Sequence, residues 1–196
     1  MQSESSVPIV PERRAFLAGV SRITLSAAAL ALLAGRESLA QGMGGAMSGD
    51  VSILNVALAL EHEGIAAYQL GAQSGLLQKP VLDVAVKFQG DHKGHRDALI
   101  ATINKMGGTP VEAKTLDDYA KALKADTLKS QADVLELAAR LELGATNAYL
   151  GVIPSLKDPQ LAKVSARLAA DETMHWSILN NALGRPLPAD ALPFGA

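Results

Sequence analysis

The chain contains no cysteine, which excludes disulfides, zinc–thiolate sites, iron–sulfur clusters and thiol catalysis. Aromatic residues are scarce, with one Trp, three Tyr and three Phe among 196 residues, and a formal net charge of −2 comes without any basic block. Neither the stacking platforms nor the electrostatic footprint of a nucleic-acid-binding protein is present, so no nucleic acid is expected as a partner. Only four histidines occur, and their placement is more informative than the composition. With the N-terminus set aside, what remains is of single-domain length and can bury one useful core.

Residues 1–40 are set apart from the fold. The pair Arg13-Arg14 precedes an apolar stretch from Ala15 to Gly35, and Ser38-Leu39-Ala40 supplies the small residues of a cleavage site. The segment resembles a twin-arginine export signal that is cleaved, leaving a periplasmic or secreted protein. Such a route carries folded proteins, so a cofactor could be loaded before export. The alternative is a membrane anchor, but Ser21, Arg22 and Ser26 interrupt the stretch and the uninterrupted part is short for a span. No stable membrane anchor is expected. The Gly-rich residues 41–51 read as a flexible leader.

Four long amphipathic segments follow, expected as helices over about 52–73, 80–106, 132–153 and 159–183. The first carries Leu54, Ala57, Glu61, Ile65, Tyr68 and Ala72 at alternating steps of three and four, which places them on one face. The second presents Val84, Phe88, His92, His95, Leu99 and Ile103, and Gly107-Gly108 ends it. On the third, Leu135, Ala138, Glu142, Ala145, Tyr149 and Val152 share a face before Pro154. The fourth opens at Asp158 as a cap and presents Leu161, Leu168, Glu172, His175 and Leu179. Between the second and third, residues 108–130 hold the breaker Thr109-Pro110 and a short helix expected over about 115–123. They are long enough to cross the bundle from end to end, since an extended chain covers up to ~3.5 Å per residue.

The two halves match. A shift of 80 or 81 positions lays Glu61 on Glu142, Tyr68 on Tyr149, Asp91 on Asp171, His92 on Glu172 and His95 on His175. Six ionisable side chains, Glu61, His92, His95, Glu142, Glu172 and His175, therefore sit in apolar stripes. A carboxylate or imidazole facing an apolar interior is costly unless it is hydrogen-bonded or coordinates a metal. A buried salt-bridge or hydrogen-bond network is the simplest account of any one of them. For six together it is weaker, because no Lys or Arg shares these stripes to neutralise three carboxylates, and a metal would supply the missing charge. Glu172 and His175, three residues apart, lie on one side of a helix one turn apart and can approach one ion together.

One Glu from each of two helices, with a Glu-x-x-His pair from each of the other two, is the ligand pattern of carboxylate di-metal bundles. The motifs Leu60-Glu61-His62-Glu63 with Ala67-Tyr68, Leu141-Glu142 with Ala148-Tyr149, and Asp171-Glu172-Thr173-Met174-His175 resemble those of the ferritin-like superfamily. More narrowly, the chain is similar to exported ferritin-like domain proteins rather than to cage-forming ferritins. The resemblance covers about residues 52–184. It implies an all-α, antiparallel four-helix bundle with a long crossover between the second and third long helices. It also implies a metal centre held by the six side chains, with Tyr68 and Tyr149 beside the metals and Asp91 and Asp171 orienting ligand histidines through their second nitrogen. Tyr68 and Tyr149 otherwise read as core aromatics, and the two Asp as solvent-facing.

This sequence departs from the pattern at one place, where His92-Lys93-Gly94-His95 stands for Glu-x-x-His. An imidazole binds one metal through one nitrogen, whereas a carboxylate can bridge two, so symmetric di-iron chemistry is in doubt. Glu63 is about 200° around the helix from Glu61 and points away; His62, at the stripe's edge, is expected as a surface or outer group. Two functions are carried forward. One is a non-haem di-metal oxidase or ferroxidase-like protein, with iron or mixed iron and manganese reacting with oxygen or peroxide. The other is a non-catalytic or stress-associated bundle in which a metal such as zinc, or manganese, stabilises the fold; a metal-free remnant is a third. Residues 185–196, with Pro186, Pro188 and Pro193, leave no room for a fifth long helix, so a monomer or homodimer is expected rather than a 24-subunit cage.

Overall fold

A computed structural model describes residues 49–195 of the chain. The expected export signal and most of the expected leader lie outside the described residues. Among the described residues five α-helices follow one another: α1 (Gly49–Gln73), α2 (Lys79–Lys105), the short α3 (Leu116–Ala122), α4 (Gln131–Val152) and α5 (Pro159–Ala182). No strand occurs among the described residues. The hairpins α1–α2 and α4–α5 pack most intimately, and α1 and α4 join them into an antiparallel four-helix bundle. None of these helices is long and apolar enough to cross a membrane.

The long helices start and stop where local chemistry requires. Ser130 caps α4 by accepting from the Asp133 amide, and Asp158 caps α5 by accepting from the Gln160 amide. Pro80 and Pro159 occupy first-turn positions, where a missing N–H costs nothing. Gly107, at φ +76°, takes the left-handed turn that ends α2. At its start α1 departs from expectation: it begins at Gly49, so the last residues assigned to the leader are helical. Asp50 and Val51 are buried there, because Val51 packs with Leu54, Leu58, Leu99 and Ile103. The Asp50 carboxylate also accepts the amides of Lys157 and Asp158, tying the start of α1 to the turn before α5.

The crossover runs along α1. The Asn55 side chain donates to Thr109 O at 3.0 Å and accepts the Val111 amide at 2.7 Å, and His62 Nε2 lies 3.2 Å from Val111 O. Within α3, Tyr119 packs with Ala66, Ala67 and Leu137, and Thr115 caps it through the Asp118 amide. His62, half-buried at the edge of its stripe, therefore anchors the crossover.

Two apolar layers sandwich the polar middle of the bundle. At one end lie Leu54, Leu58, Leu99, Ile103, Leu161 and Leu168. At the other lie Tyr68, Ala85, Phe88, Leu135, Ala138 and Leu179.

Candidate metal centre

Between the two layers all six side chains singled out by the helical stripes converge. Glu61, Glu142, Glu172 and His175 are at most 1 % exposed, and His92 and His95 are also buried. Their donor atoms form two overlapping groups, each with all atoms within 4.8 Å of one another: Glu61, His92, His95 and Glu172, and His92, Glu142, Glu172 and His175. Glu172 belongs to both. Its Oε1 lies 3.2 Å from His95 Nδ1 while its Oε2 lies 3.4 Å from His175 Nδ1, one oxygen toward each half.

The surrounding contacts cross between the matching halves. Tyr68 of α1 donates its hydroxyl to Glu142 of α4, and Tyr149 of α4 donates to Glu61 of α1. Asp91 of α2 lies 3.3 Å from Nε2 of His175 on α5, and Asp171 of α5 lies 3.2 Å from Nε2 of His95 on α2. Each Asp thus serves the opposite hairpin's histidine and turns its Nδ1 inward, with the inward lone pair free when Nε2 carries the proton. Asp171 keeps this contact although its side chain is half exposed.

His92 is held differently. Its Nδ1 lies 2.8 Å from Glu61 Oε2 and its Nε2 lies 3.2 Å from Glu142 Oε1, so both nitrogens are committed to carboxylates inside the cluster. It bridges the two halves rather than belonging to the Glu61–His95 side alone. Gly64 makes room for it: a Cβ there would stand 3.2 Å from His92 Cε1 and Nδ1. In the second half, where Glu172 matches His92, the position matching Gly64 is Ala145. A methyl group is absent where the bulkier imidazole stands. Gly64 stood unmarked among the candidate residues, although a glycine inside a long helix, set against alanine in the matching half, marks a close approach. Phe88, expected only as part of the α2 stripe, stacks its ring on His175 with centroids 4.0 Å apart.

Electrostatics modify the charge argument drawn from the sequence. Burial lowers the affinity of the imidazoles for protons, but the carboxylates around them outweigh it. His92 is raised well above the ordinary histidine range by Glu142, Glu172 and Glu61, His95 to about 10 by Glu172 and Glu61, and His175 to about 9 by Glu142 and Glu172. In the opposite sense, burial pushes Glu61 and Glu142 up, yet the imidazoles bring Glu61 below, and Glu142 well below, the usual carboxylate value. Burial and the neighbouring Glu142 raise Glu172 to about 7. Burial and the adjacent carboxylates also raise both tyrosines well above 10.0. Without a metal, then, three imidazoliums can neutralise the cluster, and Lys and Arg are not needed.

The fit to a metal rests instead on atoms left without partners. Glu142 Oε2, Glu172 Oε2 and His175 Nδ1 are buried and have no hydrogen-bond partner, a costly state for polar groups. His175 Nδ1 lies 3.5 Å from Glu142 Oε1 and 3.4 Å from Glu172 Oε2. These separations are long for hydrogen bonds, but two donors ~2.1 Å from one tetrahedral ion stand about 3.4 Å apart. Buried carboxylate and imidazole donors so disposed could hold a metal ion.

A family model described as a ferritin-like domain matches residues 49–185. Among solved structures, a conserved hypothetical protein, rv2844, from Mycobacterium tuberculosis is similar, with a TM-score of 0.58 and 24% sequence identity over 74% of this chain and 96% of that one. That likeness concerns the fold. No curated protein matches the chain. The matched span takes in all four long helices and every side chain of the buried cluster, and the chain belongs to the ferritin-like domain family.

Proposed function

We propose that Glu61, His92, His95, Glu142, Glu172 and His175 hold a pair of transition-metal ions, and that the protein is a non-haem di-metal oxidase or ferroxidase-like protein. Iron, or iron with manganese, suits this mixed carboxylate and imidazole set, and oxygen or peroxide is the oxidant. The observation that carries the proposal is the set of unpartnered atoms at Glu142, Glu172 and His175, buried inside a ring of further donors. When bound, the ions would supply one-electron chemistry that no side chain here provides. The chain's own residues prepare the place. Tyr68 and Tyr149 fix the orientation of Glu142 and Glu61, Asp91 and Asp171 keep the Nδ1 atoms of His175 and His95 turned inward, and the apolar layers exclude bulk water. Loading before export through a twin-arginine route, to the periplasm or beyond, is part of the same proposal and rests on the sequence of residues 1–40.

Near-total burial favours a second reading, since structural zinc sites are closed whereas catalytic ones keep an open position. Metal analysis of protein purified without chelators, with anaerobic spectra before and after oxygen, separates the two. Iron with an oxygen-dependent spectral change is expected. Stoichiometric zinc with no response to oxygen would establish the structural reading, and protein that takes up no transition metal would overturn both.

A further inference from the structure

An apolar cavity of about 230 Å³ lies beside the buried cluster, at the end of the bundle marked by Tyr68. Its wall includes Tyr68, seven residues past Glu61, Ala85, seven before His92, Leu135, seven before Glu142, and Leu179, four past His175. At a rise of ~1.5 Å per residue, the cavity begins roughly 6–10 Å from the cluster along the bundle axis. Tyr68 is the shared wall, with its ring on the cavity and its hydroxyl on Glu142.

At the other end Leu54, Leu58, Leu99, Ile103, Leu161 and Leu168 form the buried apolar layer. Among the differences between the matching halves, the cavity residue Val81 corresponds to the bulkier Leu161 in the apolar layer at the other end. At Gly71, which corresponds to Val152, Val134 takes the place of a side chain, since a Cβ there would stand 2.9 Å from Val134 Cγ1. The cavity also has a mouth, because Val84 on α2 and Ile178 on α5 line it and are 36 % and 43 % exposed. These helices belong to different hairpins, and their backbones approach each other less closely than those of α1 and α4.

We propose that this cavity binds an uncharged aliphatic molecule of medium chain length, entering between α2 and α5 with one end against Tyr68. The lining selects it. Apart from the Tyr68 hydroxyl, which Glu142 already engages, the wall is made of aliphatic side chains, and no cation lines it to receive a carboxylate or phosphate. A dry cavity of about 150 Å³ already admits benzene, so the larger one here takes a longer or bulkier apolar group. As the substrate pocket of a di-metal oxidase the assignment rests on the proposed function; as a binding site it does not.

The test is calorimetric titration of the full chain with 1-octanol and with octanoate, after chelation and again after metal loading. Octanol should bind saturably in both states, and octanoate at least about tenfold more weakly. The variants are Val81→Leu, which installs the side chain that the second half carries at this point, and Val81→Leu with Ala85→Leu, which fills more of the space. Both should retain helical content and metal uptake, and the double variant should weaken octanol at least about tenfold. If the double variant does not fold, Val81→Leu alone should still lower the affinity several-fold. No saturable octanol binding, equal binding of octanoate, or unchanged affinity in folded filled variants would overturn the pocket. Octanol binding to a protein that takes up no metal would leave the pocket standing and remove the oxidase reading.

Discussion

At the residue scale, His92 decides how far the centre can follow the carboxylate pattern. Both its nitrogens are taken by Glu61 and Glu142, so a metal must displace at least one of these contacts before the imidazole can serve as a ligand. We expect unequal sites, the stronger one built by Glu142, Glu172 and His175. His92→Glu should raise metal content toward two per chain and strengthen any oxygen-dependent oxidation, measured by metal analysis and single-turnover spectra. In the chelated protein the same change leaves four buried carboxylates against two inward imidazoles and should destabilise the fold by about 3–5 kcal/mol, as removal of a buried ionic partner does. Full, equal occupancy in the unmodified protein, unchanged in the variant, would show that the imidazole is no handicap. Gly64 gives an independent check. Alanine there should gain about 1 kcal/mol from helix propensity, but in the wild type it presses on His92 and should lose about 1–3 kcal/mol to overpacking. In the His92→Glu background the loss should disappear, making Gly64→Ala stabilising. A double-mutant cycle with no coupling would refute the pairing of Gly64 with His92.

At the element scale, the long helices are largely written in their stripes. Leu54, Ala57 and Glu61, or Leu168, Glu172 and His175, recur at helical spacing, and the observed ends fall within a few residues of the expected ones. The level of the site was legible for the same reason, since Glu61, His92, Glu142 and Glu172 lie near the middle of their helices. Which hairpin serves which was not legible. Spacing places Tyr68 on the face of Glu61, but only the packing of α1 on α4 brings its hydroxyl to Glu142, and Asp91 reaches His175 for the same reason. The crossover's path was equally hidden, because a loop follows whatever polar groups the finished bundle offers. One such group is Asn55, buried on α1 with its amide spent on Thr109 and Val111. Asn55→Ala should cost about 1–3 kcal/mol by leaving those backbone groups unpaired. It should also speed amide exchange at Val111, whose N–H donates to the lost side chain. Unchanged exchange there would show that α3 and its contacts with α1 hold the crossover without this bond.

At the scale of the whole molecule, the cluster's charge balance makes stability and metal uptake depend on pH in opposite senses. His175 and His95 are held at about 9 and about 10 against an ordinary 6.5. Raised in the folded state, they contribute stability that is complete below the unfolded value near 6.5 and is lost as pH rises through about 9 and 10. Glu61 and Glu142 work the other way, since their lowered values stabilise the fold above the ordinary 4.5 and cease to do so as pH falls. Glu172, raised to about 7, withdraws stability as it ionises between its ordinary 4.5 and that value. The chelated protein should therefore lose thermal stability on going from about pH 6 to pH 9. A bound metal replaces the protons on the imidazoles, so its affinity should climb over the same interval as fewer protons must be expelled. Zinc, which brings no redox chemistry, suits the measurement: thermal midpoints with chelator and with zinc should draw apart as pH rises, and calorimetry in buffers of different ionisation enthalpy should register proton release on binding. Parallel midpoint curves, or zinc binding with no proton release, would mean that the ion binds outside the imidazole–carboxylate cluster.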